Sequence, residues 1–312
     1  MRSKYLGNTK EKIPEVGIGT WKMGENPEKE IDAIRAGIRK GMRFIDTAEM
    51  YGTEWVVAKA IRDAEDVLVA TKVSPSHFSY NDVIKACDRS LNNLGLRQID
   101  LYQLHWPNHS VPIRETMRAM EALADAGKIR HIGVSNFTIK EFQAAQDSMA
   151  KYEIVSNQVE YSILVDLEPG LLDFCNKRKI TIIAYSPLAK GAIFNPKHRE
   201  VLSALEAIGK RHSKSAVQVA LNWIVSKKGV VAIPKASDAT HLLENAGASG
   251  WRLTQKEYKI LDSVCGNQQP LLAGRYQSML KSSGIWARAA HSMYAKKAKH
   301  HLKSSTTKSS KK

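Results

Sequence analysis

Four side chains with complementary acid–base chemistry stand out in the chain: Asp46, Tyr51, Lys72 and His105. Asp46 closes the apolar run Phe44-Ile45, and Tyr51 follows in the segment Thr47-Ala48-Glu49-Met50-Tyr51-Gly52. Lys72 closes the next apolar run, Val69-Ala70-Thr71-Lys72, and His105 closes the one after that, Leu104-His105-Trp106. A free phenol titrates near pH ~10 and holds its proton too tightly to be an ideal donor at neutral pH. A neighbouring ammonium favours the phenolate, and a carboxylate keeps that ammonium charged and in place. An imidazole orients or polarises a carbonyl oxygen. The set suits proton delivery to an oxyanion as it forms on a carbonyl. Each residue alone has a plainer reading: a solvated lysine, a packed His-Trp pair, a surface tyrosine ring. Four such groups at three successive run ends make the chemical reading the stronger one.

The elements that carry them must bring those run ends to one place. Eight short runs rich in Val and Ile lie at residues 16–19, 44–45, 67–70, 99–102, 129–134, 154–155, 180–184 and 230–233. Each is too short for a helix and reads as a strand buried on both faces. Between them lie amphipathic segments. Residues 28–40 carry Ile31, Ile34 and Ile38 at helical spacing, and residues 82–94 carry Val83, Ala86, Cys87, Leu91 and Leu94. Residues 113–126 and 141–150 read the same way, and Asp166-Leu167-Glu168-Pro169 is expected to open a further helix with proline in its first turn. Eight strands alternating with helices over about 250 residues predict an α/β fold, the parallel (β/α)8 TIM barrel. In such a barrel the active site gathers at the C-terminal ends of the strands, where the four residues fall. An open doubly wound sheet is the alternative. No G-x-G-x-x-G follows the first strand, which weakens it. Residues 1–13 read as an N-terminal β-hairpin turning at Gly7-Asn8 and placed to plug the bottom of the barrel.

Composition narrows the class further. Of 312 residues, 43% are hydrophobic and 25% charged, as in an ordinary globular protein. There is neither an apolar run long enough to span a membrane nor a signal-peptide pattern, so the expected location is the cytoplasm. The three cysteines, Cys87, Cys175 and Cys265, show no metal spacing and read as reduced thiols. The net charge of +16 would suit nucleic acid or an anionic surface, but its placement matters. No acidic residue follows Asp262, while ten basic ones do, which leaves only +6 for the rest of the chain. The reading is therefore one barrel domain over residues 1–265 and a basic C-terminal extension over residues 266–312, low in complexity and disordered from residue 303. Its lysines offer phosphate contacts to RNA, DNA or anionic lipid, with a solvated tail as the plainer alternative. A closed barrel has no sheet edge to pair, so a monomer is the default expectation.

Along residues 5–265 the chain resembles the aldo-keto reductase superfamily. The resemblance rests on Gly17-Ile18-Gly19-Thr20-Trp21, on residues 44–52, on Leu101-Tyr102-Gln103-Leu104-His105-Trp106-Pro107, and on the segment at 127–137 that ends Gly133-Val134-Ser135-Asn136-Phe137. Asn157-Gln158-Val159-Glu160-Tyr161, Ala184-Tyr185-Ser186-Pro187-Leu188 and Ile233-Pro234-Lys235 follow in order. It implies a catalytic tetrad of Asp46, Tyr51, Lys72 and His105, and metal-free hydride transfer from NAD(P)H to an aldehyde, ketone or sugar. It also implies that Ser135, Asn136 and Gln158 bond the nicotinamide carboxamide and that Tyr185 stacks under the ring. Ser186 and Leu188 would line the pyrophosphate path, and Thr20 would lie near the nicotinamide. Trp21 would lie there too and, with Trp106, would wall the substrate pocket.

The adenosine end departs from the family pattern. Lys235 is present, but Ala236 stands where the family often has Ser, and His241 where NADPH-preferring members often have Arg. Glu244 and Asn245 remain, suited to the adenine. A forked, always-charged Arg is the better phosphate ligand, so NADPH is the expected cofactor with weakened selectivity and NADH use left open. The alternative to an enzyme is a cofactor-binding sensor or scaffold acting through the basic tail.

Overall fold

The computed structural model describes residues 1–265. The N-terminal hairpin pairs β1 (Ser3–Tyr5) with β2 (Lys12–Pro14) in antiparallel register. The barrel strands follow as β3 (Ile18–Gly19), β4 (Phe44–Asp46), β5 (Leu68–Val73), β6 (Ile99–Leu104), β7 (Ile129–Ser135), β8 (Ile154–Glu160), β9 (Thr181–Tyr185) and β10 (Val230–Ala232). They pair in parallel and in chain order from β3 to β10. Parallel bridges between Val16 and Ala232 and between Gly19 and Lys235 join the two ends and close the barrel. The bonds Gly17 N–H to Ala232 C=O at 2.8 Å and Ala232 N–H to Glu15 C=O at 2.9 Å complete the closure. All eight expected strands are present.

Around the strands run α1 (Pro27–Arg39), α2 (Glu54–Ile61), α3 (Tyr80–Leu94), α4 (Ile113–Asp125), α5 (Ile139–Asp147), α6 (Leu171–Arg178), α7 (Arg199–His212), α8 (Ala216–Ser226), α9 (Ala239–Ala246) and α10 (Gln255–Val264). α5 opens on a capping box between Thr138 and Glu141, which satisfies two backbone amides at the helix start. The helix expected from Asp166 begins later. Gly170 sits in the left-handed region at φ 81° and α6 starts at Leu171, so Pro169 lies before the helix rather than in its first turn. No helix among the described residues is long and apolar enough to cross a membrane. The expectations for the C-terminal extension lie outside the described residues.

Two apolar layers hold the barrel. The larger lies between the strands and the helices. The smaller fills the barrel's interior with Phe44, Ala70, Leu101, Ile183, Val231 and Ile233, and the hairpin adds Leu6 and Ile13 from below. The plug is tied down by the Gly7 N–H, which donates to Thr181 Oγ1 at 2.7 Å. Gly7 has φ +58°, and a Cβ there would meet the Val155 carbonyl oxygen at 2.6 Å, so only glycine fits this turn. Lys4 adds a second anchor, its Nζ donating to the carbonyls of Val225, Lys227 and Val230 at 2.6–2.8 Å.

Side chains on a strand alternate between its faces. Two residues beyond Phe44, Ala70 and Leu101 on the same strands stand Asp46, Lys72 and Gln103. The barrel interior therefore changes from apolar to polar in one step toward the C-terminal rim.

Candidate active site

Asp46 and Lys72 face each other on adjacent strands inside the barrel. Lys72 Nζ lies 2.5 Å from Asp46 Oδ1, with 0% of the lysine side chain and 3% of the aspartate exposed. Lys72 also donates to the Thr47 carbonyl at 2.7 Å. Asp46 Oδ2 accepts from Gln158 Nε2 at 2.7 Å. Its backbone carbonyl accepts from the Thr20 hydroxyl at 3.0 Å. Burial lowers the Lys72 pKa, while the Asp46 charge and hydrogen bond pull it back up.

Tyr51 ends a 3-10 turn, Glu49–Tyr51, that follows β4. Its hydroxyl lies 3.5 Å from His105 Nε2, and the two rings meet edge to face with centroids 5.5 Å apart. Lys72 Nζ stands 5.2 Å from the centre of the tyrosine ring. Glu49 fixes the turn from outside: its Oε1 accepts from the Ser74 N–H and meets His77 Nδ1 at 2.9 Å.

Burial, followed by the charges of Asp46 and Tyr185, pushes the Tyr51 pKa well above its ordinary value. The lowering expected from the nearby ammonium does not prevail, because desolvating a phenolate costs more than that charge returns. Tyr51 is thus a phenol that keeps its proton. Burial, then the Lys72 charge, holds the His105 pKa well below its usual value, so the imidazole is neutral. His105 Nδ1 is buried without a hydrogen-bond partner among the described residues, and Nε2 is the nitrogen turned toward the phenol.

Above this set opens a cavity of about 630 Å3. Tyr51, His105 and Asp46 are in its lining, and Lys72 lies behind them, reached through Asp46. The structure brings Thr20, Trp21, Trp106, Ser135, Asn136 and Gln158 to the same cavity, as well as Tyr185, Ser186, Leu188 and Lys235. Ser135, Asn136 and Tyr185 form a chain: Ser135 Oγ donates to the Gln158 carbonyl at 2.9 Å, Asn136 Nδ2 to Ser135 Oγ at 3.0 Å, and the Tyr185 hydroxyl to Asn136 Oδ1 at 2.9 Å. Asn136 Nδ2 also reaches the His105 carbonyl at 3.1 Å, which ties this wall to the imidazole. Asn136 takes a left-handed φ of 63°, an uncommon conformation for a side chain other than glycine. Ser186, Ala189 and Lys190 do so as well, in the loop that follows β9.

His241, Glu244 and Asn245 are not brought to the cavity. They lie on α9; His241 is exposed, with Nδ1 3.7 Å from Glu244 Oε2. Lys235 Nζ meets Ser237 Oγ at 2.5 Å, so a serine one residue past Ala236 stands beside this lysine.

Several lining residues were not singled out from the sequence. Lys22 and Lys190 place their ammonium groups 4.7 and 5.7 Å from the Trp21 ring. Lys190 also pairs with Glu160 at 3.6 Å. Met50 and Phe194 add exposed apolar surface at the rim. Only the adjacency of Lys22 to Trp21 was a usable signal; Lys190 and Phe194 sit in a loop with no periodicity.

The aldo/keto reductase family model matches residues 15–265. The methylglyoxal reductase YeaE of Escherichia coli is 39% identical over 261 residues, covering 81% of this chain and 91% of that protein. The crystal structure of a thermostable aldo-keto reductase with the inhibitor epalrestat superposes with a TM-score of 0.79 at 39% identity, over 85% of this chain and 100% of the other. An aldo-keto reductase of Klebsiella pneumoniae in complex with NADPH gives a TM-score of 0.78 at 34% identity, over 86% and 97% of the two chains.

Proposed function

Because the chain belongs to the aldo/keto reductase family and is an oxidoreductase, we propose that it reduces small aldehydes, ketones or open-chain sugars with NADPH, with Tyr51 as proton donor. The observation that carries this reading is the Tyr51 hydroxyl 3.5 Å from His105 Nε2, with both residues lining one cavity. NADPH is bound in the Klebsiella relative, and the residues here fit it. The Tyr185 ring is a flat apolar surface for a nicotinamide. Gln158 gives its NH2 to Asp46 and keeps its carbonyl oxygen for an amide on the cavity side. Ser135 Oγ and Asn136 Oδ1 each retain a lone pair beyond the bonds they make. Lys22, Lys190 and Lys235 bring three ammonium groups to the lining, suited to phosphates.

When bound, NADPH supplies the hydride that adds to the carbonyl carbon. The protein's own residues handle the oxygen. His105 and Tyr51 hold it by hydrogen bonds, and the Tyr51 hydroxyl releases its proton as negative charge builds there. The resulting phenolate lies near the Lys72 ammonium, which Asp46 keeps charged. Trp21 and Trp106 wall the cavity above. The reading assigns no step to a metal.

Turnover is tested by following reduced-nicotinamide consumption with a panel of aldehydes, ketones and sugars. Reduction of at least one class is expected; tight cofactor binding with no turnover on any would favour a sensor or scaffold.

At the adenosine end, Lys235 with His241, Glu244 and Asn245 would hold the cofactor. A histidine is a poorer phosphate ligand than a forked guanidinium, so both NADPH and NADH should serve. Replacing His241 with Arg adds that fork and should raise the NADPH-over-NADH ratio of kcat/KM about tenfold, mainly through the KM for NADPH. An unchanged ratio would place the phosphate elsewhere.

A further inference from the structure

One buried amide remains without a role in this scheme. Gln103, on β6, is fully buried in the polar layer of the barrel interior, two residues before His105, which directly follows the strand's end. Its Nε2 lies 3.3 Å from Asp46 Oδ2, the oxygen that Gln158 Nε2 meets at 2.7 Å. Gln158 Nε2 also lies 3.4 Å from Gln103 Oε1. A carboxylate can only accept, so both amides must turn their NH2 groups to Asp46, and Gln103 must turn its oxygen to Gln158. The three side chains form a closed triangle. Asp46 thus carries the Lys72 ammonium on one oxygen and two amides on the other. The residue below it on β6 is Leu101, which packs in the interior apolar cluster. An amide at this depth has a desolvation cost that a leucine would not have.

We infer that Gln103 is a positioning residue that couples the two halves of the site, bearing on the Lys72–Tyr51 side through Asp46 and on the cofactor-facing wall through Gln158. The inference rests on the proposed roles of Tyr51 and Gln158. If it holds, removing this amide disturbs proton delivery and cofactor affinity together, although Gln103 lies outside the cavity lining.

Two variants separate this from a packing role. Gln103→Met keeps length and volume but neither donates nor accepts comparably. Gln103→Glu keeps the shape and places a second carboxyl 3.3 Å from Asp46 Oδ2, where two like charges oppose each other. NADPH affinity would be read by quenching of tryptophan fluorescence, and kcat and KM by turnover of the best aldehyde, each across pH. For Gln103→Met we expect kcat to fall about tenfold with aldehyde KM within about twofold, and the NADPH Kd to rise several-fold. For Gln103→Glu the losses should be larger at neutral pH and shrink as the pH falls, because the protonated carboxyl can donate to Asp46 and still accept from Gln158. A packing role predicts no such pH-dependent recovery. Wild-type behaviour in Gln103→Met, or a Gln103→Glu defect indifferent to pH, would overturn the inference. Should Gln103→Met fail to fold, the pH response of Gln103→Glu decides alone. A wild-type protein that neither binds NADPH nor turns over would sink the reading of the site and this inference with it; an active wild type beside an unaffected Gln103→Met sinks this inference only.

Discussion

Tyr51→Phe should lower carbonyl reduction by about 10²–10⁴-fold in kcat, the range over which a positioned general acid acts, and leave NADPH affinity unchanged. The substitution removes one oxygen from a side chain whose ring is otherwise well held. The edge contact with His105 and the Lys72 ammonium 5.2 Å from the ring centre involve the ring itself, which Phe retains. What is lost is the only phenol within reach of His105 Nε2 among the residues lining the cavity. The sign of the pKa shift matters. Burial raises the phenol's pKa, so the acid form is retained through the neutral range and the wild type should not lose its donor there. A neutral His105 is a weaker proton source than an imidazolium and should not replace the tyrosine. The check is single-turnover reduction measured beside the cofactor Kd. A variant with full turnover would remove Tyr51 from the reaction; one with weakened NADPH binding would recast the hydroxyl as part of the cofactor wall.

How much of this could be read before the structure depends on where the physical signal lies. The barrel was legible because β-branched runs bounded by polar residues recur eight times, and each run ends where a strand must end. Asp46, Lys72 and His105 were legible because titratable residues end three successive apolar runs, a coincidence that the plainer reading of each alone does not explain. β8 shows where the signal fails: only Ile154-Val155 reads as a strand, yet it runs to Glu160, because the polar Ser156 and Gln158 are buried with it and Gln158 bonds to Asp46 inside the barrel. α8 also escaped. Val219 through Val225 are all buried, so the helix has no polar stripe to set a period. The bond from Gln158 to Asp46 joins residues 112 apart. No local pattern encodes such a pair, so Gln103 passed as one letter of a motif until its neighbours across the barrel were known. The direction of the Tyr51 shift was hidden for the same reason: an ammonium nearby is visible in sequence order, but the degree of burial is not.

The Asp46–Lys72 pair provides the largest effect on the fold itself. Replacing Asp46 with Leu leaves an ammonium with no exposed surface and the Thr47 carbonyl as its remaining close partner. Breaking a buried pair from one side typically costs about 3–5 kcal/mol, and that loss is expected here together with loss of turnover. Lys72 can relieve the strain by giving up its proton. Burial already lowers its pKa, and Asp46 is what raises it back, so without Asp46 the folded-state value falls further below the ordinary lysine value. A proton then binds more tightly to the unfolded chain than to the folded one. The stability of Asp46→Leu should therefore rise with pH through the interval from its depressed folded value to the ordinary one. Lys72→Met should likewise lose stability, since it leaves a buried carboxylate with only the Gln103 and Gln158 amides as its side-chain partners. Joining the two changes removes both charges at once. Asp46→Leu/Lys72→Met should recover most of the stability that either single variant loses, because apolar replacements of a buried pair are often neutral or better, and should remain inactive, because no ammonium is left to receive the phenolate's charge. Denaturant unfolding of the four proteins across pH measures the coupling directly. Single losses that merely add in the double variant would mean that the pair is not charged in the folded protein, and the support assigned to Lys72 in proton transfer would fall with it.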